Sequence, residues 1–249
     1  MKKRPKIATG LGFCLPVLIA VPVVAWLTGW HWQAEAQSPQ LGFFYLLTQT
    51  VSNPVGVFTA VVLLAALLWV LKPGKAHRWK CALLIMAPIA LGQVAVSVLK
   101  RVVQEPRPYV MWLNHDQPQA VAQFYSEEPA KRGMTVLNTL HDNRAIPSWQ
   151  QDHWAKESTW SFPSGHSIFA AAWALLGVGV LWPRKRFLAA FILTAWAAGV
   201  LVSRLFLGMH WPVDLLASIG LAFILTRPSV VAINRYLPPP GDRSEEHTS

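Results

Sequence analysis

The amino-acid sequence predicts an all-α integral membrane protein, a bundle of six transmembrane helices with a small helical cap between the third and the fourth. Three observations carry this prediction. Of 249 residues, 53% are hydrophobic and 14% charged, whereas a soluble domain carries about 25% charged residues. Several uncharged runs approach or reach the length needed to span a bilayer, about 20 apolar residues. The basic residues, which bring the formal charge to +10, sit mainly between those runs, where topology signals belong. That placement argues against nucleic acid as a partner, and the composition excludes a disordered chain or a disulfide-stapled secreted module. Cys14 and Cys81 lie in or beside apolar segments and read as small buried hydrophobes.

The first run, residues 7–29, follows Lys2, Lys3, Arg4 and Lys6. It is too long for a signal-peptide core and no small-residue cleavage site follows it, so it is expected to stay as the first span. The second and third spans fall at 54–71 and 81–99. Residues 101–160 are polar and charged, punctuated by Pro106, Pro108, Pro118, Pro129 and Pro147, and read as an extramembrane cap of short helices. Spans resume at 162–182 and 187–202. The last candidate, 211–226, is interrupted by Asp214 and bounded by Arg227 and Pro228. It crosses only by continuing past Arg227 with that side chain snorkelling.

Fourteen of the 22 Lys and Arg residues fall on the side of the termini in this scheme, and residues 31–52 on the other side contain none. The bias places both termini in the cytoplasm and the cap outside. Residues 1–236 are expected to form one membrane-embedded domain, followed by a tail, 237–249. Its last seven residues, RSEEHTS at 243–249, resemble the in-frame translation of a common sequencing adaptor and read as a foreign tail, with an ordinary polar terminus as the alternative.

Three constellations fall at the outer ends of spans. Lys100 closes the third span, and Arg107-Pro108 follows it in a K-x6-RP pattern. Either cation alone is an ordinary snorkelling or loop residue. Kept at a rim that otherwise avoids basic residues, they point to an anionic ligand, with lysine a point charge and arginine a planar fork for two phosphate oxygens. Pro163-Ser164-Gly165-His166 opens the fourth span. Ser164 there is a natural helix N-cap, and the same helix start offers free N–H groups to an anion, with His166 beside it as a proton donor near neutral pH. Ser203-Arg204, His210 and Asp214 run from the fifth span into the sixth. An unpaired carboxylate at the start of a membrane helix is costly, and four-residue spacing lets Asp214 orient His210, leaving the other ring nitrogen free to attack. Three cations, an anion-binding helix start and two histidines are the requirements of phosphoryl transfer. No metal-ligand cluster is evident, which favours a metal-free mechanism without cofactor. The remaining histidines, His31, His77, His115, His141 and His153, read as loop or interface residues, and Glu105 as a local partner of Lys100 or Arg107. The aromatic residues of the cap, Phe124, Tyr125, Trp149, Trp154 and Trp160, read as its small core or as an aid to lipid chains.

In this order, K-x6-RP, PSGH and SR-x5-H-x3-D resemble the three-part signature of the type 2 phosphatidic acid phosphatase superfamily, and every signature position is matched. The resemblance implies that His210 attacks phosphorus and becomes a transient phosphohistidine, that Asp214 orients it, and that His166 protonates the leaving group and then activates water. It implies phosphate binding by Lys100, Arg107, Ser164, Gly165 and Arg204. The substrates it implies are lipid phosphates and pyrophosphates in the bilayer of a bacterial inner membrane, with hydrolysis expected at the periplasmic face. Every catalytic group comes from one chain, so a monomer is expected. Dedicated undecaprenyl-pyrophosphatases and lipid A phosphatases of the same superfamily remain rivals, as does a six-span anion transporter, although the repeated halves and broken helices common in transporters are not visible.

Overall fold

The structure, a computed structural model, describes residues 7–34 and 40–239. The basic flank before Ile7 and the tail segment 243–249 lie outside these residues. Every helix and strand assignment among the described residues is helical: α1 (Ile7–Leu27), α2 (Gln40–Gln49), α3 (Val55–Leu71), α4 (Lys75–Val103), α5 (Pro108–Leu113), α6 (Pro118–Ser126), α7 (Pro129–Leu140), α8 (Ser148–Lys156), α9 (Gly165–Leu181), α10 (Phe187–Phe206) and α11 (Pro212–Tyr236), with a 3-10 turn at Trp182–Arg184.

Five of these helices, α1, α4, α9, α10 and α11, are long and apolar enough to cross a membrane. The expected second span is α3, apolar but only 17 residues long, about 26 Å at 1.5 Å per residue against roughly 30 Å of hydrocarbon. α11 does continue past Arg227 and carries Pro228 inside it. One helix, α2, was not anticipated. It packs along α10, and the short turn after it brings Ser52 Oγ to 2.9 Å from His166 Nε2.

α9 is the centre of the bundle, buried along nearly its whole length and ringed by α1, α4, α10 and α11. Its small residues permit this. A Cβ on Gly179 would lie 2.6 Å from Val230 Cγ1 of α11, so glycine is what lets the two helices approach so closely. Because α9 is fixed by neighbours on all sides, its first turn, which carries the PSGH sequence, is fixed with it.

Helices α5–α8 occupy the interval expected to be the cap and form a second apolar core around Tyr109, Phe124, Tyr125 and Trp154. The Tyr109 and Trp154 rings stack at 4.9 Å, as do Tyr125 and Trp160 at 3.7 Å, while Trp149 packs on Tyr45 of α2. The aromatic residues therefore build the core of this unit. That core also takes in Leu207 and Met209 from the α10–α11 loop. Three successive carbonyls of that loop accept donors from the unit: Leu207 from Trp154 Nε1 at 2.9 Å, Gly208 from the Tyr109 N–H at 3.0 Å, and Met209 from Arg107 Nη1 at 3.1 Å. Gly208 turns the chain with φ of +68°, and a Cβ there would meet the Trp32 ring at 2.5 Å.

Candidate active site

The three constellations converge where the start of α9, the end of α10 and the start of α11 meet. His210 lies in the loop before α11, 2% exposed, and its Nδ1 is 3.1 Å from Asp214 Oδ2. The same carboxylate oxygen accepts the Trp211 N–H at 2.9 Å and the Ser161 hydroxyl. Pro212 starts the helix at a position that needs no N–H donor, and Asp214 in the first turn serves the exposed N–H behind it. With Nδ1 committed to the carboxylate, Nε2 is the ring nitrogen left to react, and Arg107 Nη1 stands 3.4 Å from it. Burial pushes the His210 imidazole well below its usual pKa, and Arg107, Arg204 and Lys100 push it the same way. The ring is therefore neutral at pH 7 and its lone pair available.

Arg107 is 3% exposed and held from several sides. Its Nε donates to the Thr159 carbonyl at 2.6 Å and its backbone N–H to the Tyr125 hydroxyl at 3.1 Å. Lys100 Nζ donates to the Trp160 carbonyl and, at 3.3 Å, to the Ser161 carbonyl. Both cations of the first constellation thus converge on residues 159–161, directly before Pro163-Ser164-Gly165-His166. Among the described residues no ion pair joins Glu105 to either cation; its carbonyl accepts the Ser161 N–H at 2.7 Å.

At the start of α9, Ser164 is buried and its hydroxyl caps the helix by accepting the Ser167 N–H at 3.2 Å. Its own N–H is engaged by Ser218 Oγ of α11 at 3.0 Å. Gly165 is half-buried, and His166 presents Nε2 to Ser52 Oγ at 2.9 Å and to Glu157 Oε1 at 3.2 Å. Arg204, fully buried at the end of α10, donates from Nη2 to Glu157 Oε2 at 2.6 Å and from Nη1 to Thr48 Oγ1 at 2.8 Å.

Glu157 is therefore the hub that sequence reasoning missed. Its carboxylate meets Arg204, His166, Arg107 at 3.8 Å and His153 at 3.9 Å. Burial alone would raise its pKa, but Arg204, then His166, His153 and Arg107, hold it well below the usual carboxylate range. The two imidazoles, His166 and His210, are linked through Glu157 and Arg107. His153, expected to be an ordinary loop residue, is instead 4% exposed, 3.3 Å from Arg204 Nη1, with burial lowering its pKa to about 4. The signal was present: His153 and Glu157 stand four apart on the chain, the spacing that singled out His210 and Asp214. Thr48, Ser52, Thr159 and Ser161 had no such signal, being common polar residues brought in by the fold. Among the described residues no group of three or more His, Cys, Asp or Glu side chains is placed to hold a metal ion.

The family model described as "PAP2 superfamily" matches residues 80–236. The chain belongs to this superfamily and is a hydrolase. It is 41% identical over 245 residues to the phosphatidylglycerophosphatase B of Escherichia coli (strain K12), covering 96% of this chain and 94% of that protein. The phosphatidylglycerophosphatase B of Haemophilus influenzae is 31% identical over 216 residues, covering 84% and 89% respectively.

Proposed function

We propose that this lipid phosphatase converts phosphatidylglycerophosphate to phosphatidylglycerol through a phosphohistidine on His210. The same site would accept phosphatidic and lysophosphatidic acid, diacylglycerol pyrophosphate and undecaprenyl pyrophosphate, because it recognises the phosphoryl group. The observation that carries the reading is the buried His210, with Nδ1 held by Asp214 at 3.1 Å and Nε2 facing Arg107. The names and similarity of the relatives support the choice of lipid.

In the first step His210 Nε2 forms a bond to phosphorus while the bond to the lipid oxygen breaks and His166 gives that oxygen a proton. Water, deprotonated by His166, then attacks the phosphohistidine; inorganic phosphate leaves and His210 is restored. Asp214 stabilises the positive ring that exists between the steps. Lys100, Arg107 and Arg204 balance charge on the phosphoryl oxygens, and the first turn of α9 at Ser164 and Gly165 adds the positive end of a helix dipole. Lys100 and Arg204 must turn from their present partners, the 160–161 carbonyls and Glu157. Glu157 now occupies the place among the cations that an anionic phosphoryl group would take. No step requires a metal ion.

Residues 1–236 would form one catalytic domain of six spans, with α3 as the second. Both termini would be cytoplasmic and the helices α5–α8 periplasmic, in a bacterial inner membrane. One chain contains every group named, so a monomer suffices. The test is phosphate release by purified wild type and His210→Ala, in detergent with chelator, from phosphatidylglycerophosphate, phosphatidic acid and undecaprenyl pyrophosphate. Release by wild type alone, fastest from phosphatidylglycerophosphate, is expected. Fastest release from undecaprenyl pyrophosphate would favour a dedicated pyrophosphatase, and a need for added metal would overturn the mechanism.

A further inference from the structure

We infer that the outward side of α11, at the end of the bundle away from the histidines, binds an anionic glycerophospholipid. A groove there runs along Ile224, Pro228 and Val231 between Arg227 and Arg235, with Tyr236 at its end. Counting from Pro212 at the active-site end, Arg227 lies about 22 Å along the helix and Arg235 about 35 Å, at 1.5 Å per residue. Across roughly 30 Å of hydrocarbon, the first is at acyl-chain depth and the second at headgroup level.

Both arginines are exposed, and among the described residues neither has a hydrogen bond or an ion pair. Segments 72–80, 182–187 and 227–239, which reach this end, contain no Asp or Glu. Arg184, at the same end, shows how the fold treats an arginine it uses for itself: Nη1 donates to the Val180 carbonyl at 2.7 Å and to Asn234 Oδ1 at 2.6 Å. Among the described residues nothing engages Arg227 or Arg235, and a cation at acyl depth calls for an anion brought to it. A phosphodiester supplies that anion, and its acyl chains match the apolar wall between the two guanidinium groups. The site is independent of the phosphate chemistry, on a different part of the same helix.

The experiment is native mass spectrometry of the full chain in detergent, after incubation with phosphatidylglycerol or phosphatidylcholine. Wild type is expected to retain a phosphatidylglycerol adduct at activation energies that strip phosphatidylcholine. Arg227→Gln/Arg235→Gln should lower that retention at least fivefold while phosphate release from phosphatidic acid stays within twofold, which also reports that the variant is folded. If the double variant does not fold, Arg235→Gln alone, at the exposed helix end, should still lower retention at least twofold. Equal retention of the two lipids, or unchanged retention in the folded variant, overturns the site. An adduct that forms only after removal of residues 240–249, or a dimer that the double variant dissolves, would assign the groove to the chain's own tail or to a second copy, and equally overturns it.

Discussion

The pairs His210–Asp214 and His153–Glu157 have the same four-residue spacing and adjoining positions, yet they bond differently. Asp214 Oδ2 is 3.1 Å from its histidine and anchored by the Trp211 N–H at the start of α11. Glu157 stands 3.9 Å from His153 and spends its oxygens on Arg204 and His166 instead. Spacing brings two groups within reach, but the competing partners decide which bond forms. Among the described residues no Lys or Arg bonds Asp214 at its helix start, which leaves it to its imidazole, whereas a carboxylate in contact with buried guanidinium groups turns to them.

The largest expected effect tests the first pair. His210→Ala should abolish turnover, since losing a nucleophile costs about 10⁶-fold in a comparable covalent mechanism; circular dichroism checks the fold and phosphate release the activity. Asp214→Asn should lower kcat by about 10³- to 10⁴-fold, as loss of an orienting carboxylate does in a hydrolase triad. A loss of tenfold or less would mean that Ser161 and the backbone orient the ring without it.

The second pair is expected to respond less and differently. Glu157→Gln removes the anion lodged among the cations, so the inhibition constant for inorganic phosphate should fall several-fold, while kcat drops about tenfold as His166 loses a partner, below the usual worth of an acid–base group. Weaker phosphate inhibition would show that Glu157 assembles the cradle rather than fills it. His166→Ala should slow good leaving groups such as p-nitrophenolate far less than lipid alkoxides, and an equal loss for both would remove its role as acid.

The smallest effect is on stability. The His153 pKa is lowered to about 4 in the fold, against about 6.5 in an unfolded chain. Below pH 6.5 the unfolded chain takes up a proton that the folded one refuses until about pH 4, so stability is complete above 6.5 and falls across that window. His153→Asn should flatten the corresponding decline in Tm in detergent, and an unchanged slope would place the titration elsewhere.

Much of this was legible in the sequence because membrane helices and phosphate sites are written in local terms. Long uncharged runs located α1, α4, α9, α10 and α11, and each motif occupies a few consecutive positions. α2 escaped because residues 36–71 run without a charge to mark a boundary, and α11 was underestimated because Arg227 and Pro228 look like an end. The site was legible as far as its charged signature residues. Ser161 and Ser52 became part of it only through folding, one by standing beside Asp214 and the other by meeting His166 from the end of α2. Ser164 shows the converse: its hydroxyl serves the fold as a helix cap by accepting the Ser167 N–H, which leaves its own O–H free to donate.

The carbonyls of Leu207, Gly208 and Met209, held by Trp154 and Tyr109 of the α5–α8 unit and by Arg107 at its entrance, tie the His210 loop to that unit as a keystone is tied to its arch. The unit cannot lift like a hatch without pulling His210 off its register with Asp214. Amide exchange at 208–210 should therefore keep pace with exchange in α5 and α8, so that shaking the roof loosens the hearth beneath it.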